Sequence, residues 1–106
     1  TVAGKGVLNE ETHPLAAGAR LHHPRARDVL LAEADCVLAL GTQLSPTDWW
    51  HFAHEGELPL AFSAVTHIDI DAATLSQGGV REAGGVTVQA EARAACKLLL
   101  QEARRG

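Results

Sequence analysis

Five consecutive apolar residues, Cys36-Val37-Leu38-Ala39-Leu40, are closed by Gly41. A short unbroken run of this kind predicts a strand buried on both faces, as in a parallel sheet. Val65-Thr66-His67-Ile68-Asp69-Ile70 alternates and is rich in β-branched residues, which predicts a second strand. Asp71 follows it at the N-cap position of a short helix beginning Ala72-Ala73-Thr74-Leu75. Val86-Thr87-Val88 predicts a third strand, and Ala92, Ala95, Cys96, Leu99 and Ala103 form the apolar stripe of a closing helix. Before the first strand, Ala26, Val29, Leu30 and Ala34 repeat at helical spacing over 25–34, with Pro24 suited to the first turn. Thr1-Val2-Ala3 reads as the tail of a strand stopped by Gly4-Lys5-Gly6, and 7–23 as an irregular segment with one helical turn. The polar stretch 42–59 is a long connection with a short helix expected near Trp49 to His54. Strands alternating with helices give an α/β fold with a parallel sheet.

Composition narrows this picture. A chain of 106 residues suits one domain, and with no tyrosine and 4% aromatics its core must rest on Leu, Val, Ile and Ala. Acidic and basic residues are interspersed around a net charge of -4, so neither nucleic acid nor an anionic membrane is an expected partner. Cys36 and Cys96 sit in alanine-rich apolar stretches and read as small buried hydrophobes of a reducing compartment, without a disulfide framework. No apolar run approaches the roughly 20 residues that span a bilayer, and the expected setting is the cytosol. The chain lacks methionine and begins on Thr-Val, which reads as a cut piece.

The candidate chemistry is sparse. Gly4-Lys5-Gly6 lacks the spacing and the following Ser or Thr of a phosphate loop, and no Gly-x-Gly-x-x-Gly opens a helix. Asp48, His51, His54 and Glu55 lie close enough that one helical turn could present two imidazoles and a carboxylate to a metal, but spacing without an orienting second layer of ligands favours a solvated loop. His22 and His23 precede a helix start, and His13 and His67 have no catalytic partner in view, so structural roles are expected for them. Ser45 and Ser63 lie in no nucleophile elbow. The best ligand candidates are Asp69, Ile70 and Asp71 at the carboxyl end of one strand, with Gly41 and Thr42 at the end of another, where open α/β sheets bind nucleotides. The alternative is that Asp71 caps a helix and Asp69 satisfies loop amides.

Taken in order, Thr1 to Gly6, His13-Pro14-Leu15 with Gly18, Ala34 to Gly41, His67-Ile68-Asp69-Ile70-Asp71 and Val86 to Ala92 resemble the central domain of thiamine-diphosphate enzymes of the acetolactate synthase and 2-oxo acid decarboxylase type. The resemblance covers nearly the whole chain, although Glu91 stands where an aspartate is usual. It implies a Rossmann-like parallel sheet flanked by helices, with residues 1–106 as one middle domain truncated before its opening strand and helix. The lost strand would leave an edge of Cys36 to Leu40 uncovered, so either the Thr1-to-Ala3 strand moves in beside it in a rearranged sheet or the chain self-associates. The parent's thiamine diphosphate and Mg2+ would be held by a pyrimidine domain and a diphosphate domain whose motifs this sequence lacks. No residue here therefore takes a catalytic role, and the isolated chain is expected to be inactive. Flavin-binding members carry an arginine after the glycine that closes the first strand; here Gly41-Thr42-Gln43 stands there, so FAD is not expected. A stand-alone adenine-nucleotide module is the alternative reading.

Overall fold

β1 (Val37–Leu40), β2 (Val65–Asp69) and β3 (Val86–Gln89) form a parallel sheet in the order β1-β2-β3. This is a computed structural model, and it describes residues 6–16, 25, 33–44 and 62–106. A single 3-10 turn, Phe62–Ala64, leads into β2. Helix α1 (Ala72–Gln77) links β2 to β3, and helix α2 (Ala92–Arg105) comes after β3. The expected Rossmann-like parallel architecture is thus present. Among the described residues, no helix is long and apolar enough to cross a membrane.

The chain divides into two compact units, Thr1–Ala34 with Leu44–Leu60, and Asp35–Gln43 with Ala61–Gly106. In the first, the described stretch 6–16 is a series of turns. The Asn9 carbonyl accepts from the His13 amide at 2.8 Å, and the Glu10 carboxylate accepts from the Gly6 amide at 3.0 Å. That agrees with the irregular segment expected there. The strand expected at Thr1 to Ala3 and the helix expected near Trp49 lie outside the described residues. So does most of the helix expected over 25–34; of its described residues, Arg25 is helical and Glu33 and Ala34 are not.

The second unit holds the sheet. β1 and β2 pair in register with Ala39 opposite His67 and Leu40 opposite Ile68, and β2 pairs with β3 with His67 opposite Thr87 and Ile68 opposite Val88. Because side chains alternate along a strand, Ala39, His67 and Thr87 share one face, and Leu40, Ile68 and Val88 the other. β2 is the central strand of the three, and Val65, His67 and Ile68 are buried in it. α1 packs against β2 and β3, with Leu75 buried, and Val80 beyond it is completely buried. Burying a side chain of that size stabilises by about 1.5–3 kcal/mol.

Burial departs from the sequence expectation in three places. β1 begins at Val37, so Cys36 lies outside the ladder and is exposed. Leu38 is 49% exposed, because β1 pairs with β2 alone among the described residues, and the run is not buried on both faces. Cys96 is also exposed: Ala95, one residue earlier and about 100° around the helix, occupies the buried position of α2. Neither cysteine is therefore the buried hydrophobe expected. Leu99 and Ala103 of the predicted stripe remain exposed as well.

At Gly78, the C-cap of α1, a Cβ would lie 3.2 Å from both Cε1 and Nδ1 of His67 and 3.4 Å from the Thr74 carbonyl. The φ of −67° suits any residue, so the helix gain from alanine, about 0.5–1 kcal/mol, opposes the clash. His67 is fully buried and cannot yield, so the clash should win. Gly78→Ala is expected to destabilise by about 1 kcal/mol in urea unfolding, and the loss should vanish when His67→Ala is also present, a coupling that a double-mutant cycle measures.

Candidate functional site: the carboxyl-terminal rim of the sheet

Three parallel strands end on one edge, and the residues singled out from the sequence meet there. Gly41 continues β1 with its amide donating to the Ile68 carbonyl at 2.9 Å, and the Ala90 amide after β3 donates to the Asp69 carbonyl at 3.1 Å. Gly41 then turns the chain at a φ of +63°, a conformation that costs a residue with a Cβ roughly 1–2 kcal/mol. Leu44 adopts the same left-handed region at φ +49°. The chain thus leaves β1 abruptly.

On β2, the Asp69 carboxylate accepts from the Asp71 amide at 2.9 Å, a local turn that bends the chain toward α1. Asp71 is the N-cap: Oδ1 accepts from the Ala73 amide at 2.9 Å and Oδ2 from the Thr74 hydroxyl at 3.3 Å. Its carboxylate is therefore committed to capping, as one of the two sequence readings had it. Ile70 between them is 65% exposed, and its carbonyl accepts from Gln89 Nε2 at 3.1 Å. Sequence reasoning did not single out Gln89; its register opposite Asp69 is visible only once the strands are paired. Glu91, where an aspartate was expected from the resemblance, N-caps α2 by accepting from the Arg93 and Ala94 amides at 2.8 and 3.0 Å. The longer side chain still reaches the amides that a shorter cap would bind.

A groove of about 480 Å³ opens beside this rim, between α1 and β3, with Leu75 at its wall and Ser76, Arg81, Thr87 and Gln89 lining it. The rim and groove together offer carboxylates, an amide and one guanidinium. No group of three or more His, Cys, Asp or Glu residues is placed to hold a metal among the described residues. The candidate cluster of Asp48, His51, His54 and Glu55 lies outside them, as do Ser45, His22 and His23.

Residues 1–99 match the family model described as the thiamine pyrophosphate enzyme central domain. Among curated proteins, a probable 2-ketoarginine decarboxylase, AruI, of Pseudomonas aeruginosa is 42% identical over 71 residues, covering 67% of this chain and 11% of its own length. The chain thus corresponds to a small part of that relative. No solved structure matches.

The two rim aspartates have separable jobs. Asp71→Ala should cost about 1 kcal/mol through loss of the cap. Asp69→Asn, which keeps an acceptor for the Asp71 amide, should cost less than half of that. Thermal unfolding followed by circular dichroism checks both, and equal losses would contradict the assignment.

Proposed function

Because the chain belongs to the thiamine pyrophosphate enzyme central-domain family, we propose that it works as the bracing middle domain of a larger enzyme acting on 2-oxo acids. The observation that carries this reading is the family match over residues 1–99, which falls on a parallel sheet whose rim side chains mostly hold the chain's own turns. The decarboxylase relative favours loss of carbon dioxide as the parent's reaction over acyl transfer. In such a parent, thiamine diphosphate supplies the electron sink for that loss.

The described residues do not fit that cofactor. Its diphosphate is held through a bridging Mg2+, and among the described residues no group of three or more His, Cys, Asp or Glu is placed to hold a metal. Mg2+ and the diphosphate therefore belong with the parent's diphosphate domain, and the cofactor ring with its pyrimidine domain. This chain's part is to hold those domains in position, in the cytosol and in an oligomer of the parent. FAD is not part of the reading, because Thr42-Gln43 supplies no guanidinium after Gly41 for its phosphates.

A second reading, an adenine-nucleotide module, is favoured by one observation. Asp69 keeps one carboxylate oxygen beyond its bond to the Asp71 amide, at a rim that opens beside the groove between α1 and β3. A ribose hydroxyl suits such an acceptor.

The purified chain should neither release carbon dioxide from 2-oxo acids nor bind thiamine diphosphate with Mg2+ in calorimetry, and the encoding frame should continue into the two missing domains. Turnover by the chain alone would overturn the scaffold reading. Saturable ADP binding without turnover would favour the second. Light scattering should show self-association of the chain, and Leu38→Lys should shift it toward monomer with little loss of melting temperature, since Leu38 is half exposed.

A further inference from the structure

His67 lies in the middle of β2 with no solvent exposure. Its Nε2 is 2.6 Å from the carbonyl oxygen of Thr42, 25 residues earlier, in the segment that leaves β1. A backbone carbonyl can only accept, so Nε2 carries the proton and donates. Nδ1 is then a bare acceptor, and it is buried without a partner. The other tautomer would lose the Thr42 bond and give the new Nδ1–H no acceptor, so the environment fixes the ring in one state. Behind the ring, Gly78 leaves room that even a methyl group would take.

We infer that His67 is the positioning residue of the rim loop: its imidazole draws the Thr42 carbonyl inward and so sets the direction of the next peptide. That peptide is trans, and its two polar groups point in opposite directions. With the Thr42 oxygen turned toward the buried ring, the Gln43 N–H faces away from it, and Gln43 is exposed. The left-handed Gly41 lets the chain make that turn directly after the ladder bond from its amide to Ile68. The latch thus presents a backbone donor at the same edge as the Asp69 acceptor. A nucleoside diphosphate offers the complementary pair, a phosphate for the amide and a ribose hydroxyl for the carboxylate. The choice of that ligand rests on the second reading above; the latch does not.

Two substitutions in the chain separate these claims. His67→Phe fills the ring's space without a donor, and His67→Gln restores an amide donor near the position of Nε2. Long-range nitrogen–proton NMR of the chain should show the Nε2–H tautomer of His67. In hydrogen exchange, His67→Phe should speed the Gly41 amide about tenfold, as expected for the loss of one hydrogen bond, while the Ala95 amide of α2 keeps its rate. His67→Gln should restore most of the protection. An Nδ1–H tautomer, or Gly41 and Ala95 amides that accelerate together, would overturn the latch, the latter because it reports global loss of stability. ADP titration is the second arm: binding that weakens about tenfold in His67→Phe and recovers in His67→Gln supports the latch and its ligand together. If the unaltered chain does not bind ADP, the nucleotide reading fails and the exchange result alone decides the latch.

Discussion

A polar ring in the centre of a sheet needs partners, and this sheet supplies one across strands to Nε2 of His67 while Nδ1 stays buried without one. His67 is flanked in register by Ala39 and Thr87, a small and a medium side chain, which leave the imidazole space on its face. Its hydrogen bond runs beyond β1 to the Thr42 carbonyl, so it fixes the exit of one strand from the interior of another. The same ring constrains the chain after β2. α1 ends at Gly78, where a Cβ would stand 3.2 Å from the ring and press on it. Strand pairing, helix termination and loop direction thus meet at one side chain. A buried hydrogen bond of this kind contributes only about 1 kcal/mol net, yet removing the ring would also open the packing against Gly78.

The rim is built with the same economy. Asp69 bends the chain, Asp71 caps α1, Gln89 holds the Ile70 carbonyl and Glu91 caps α2. Each of these side chains does what the backbone around it demands. Catalytic groups ordinarily stand in a cleft with environments that set them apart from structural ones. Here the polar side chains of the carboxyl edge mostly bond the protein's own backbone, which suits a domain that positions neighbours and leaves the chemistry to a cofactor held elsewhere.

The sequence made the strands legible because each relied on a local signal: the apolar run before Gly41, the alternation from Val65, and the Val86-Thr87-Val88 triplet. Asp71 as a cap was legible for the same reason, since a short acceptor before a helix acts on amides two residues away. The misjudgements concern burial, which is a property of neighbours. Leu38 and Cys36 share a run with Ala39, but only Ala39 is buried. The role of His67 was foreseen only as structural, because its partner lies 25 residues away and nothing in the spacing points to Thr42. Gln89 was overlooked because its meaning comes from register with Asp69.

Helix α2 connects the fold to the domain's role. Leu98, Leu99 and Leu100 are 63%, 45% and 51% exposed, and Ala95 is the buried residue of the helix. Three consecutive positions spread over about 200° of a helix that advances about 100° per residue, so no single flat surface can cover all three. A helix that is apolar around more than half its circumference belongs in contact with neighbours on more than one side. Glu102 and Arg105 pair at 3.2 Å on the last turn, and Arg104 and Arg105 complement the negative end of the helix dipole. A middle domain with partners on two sides has a use for such a helix. For a free-standing module, the same leucines would be an uncompensated cost in water.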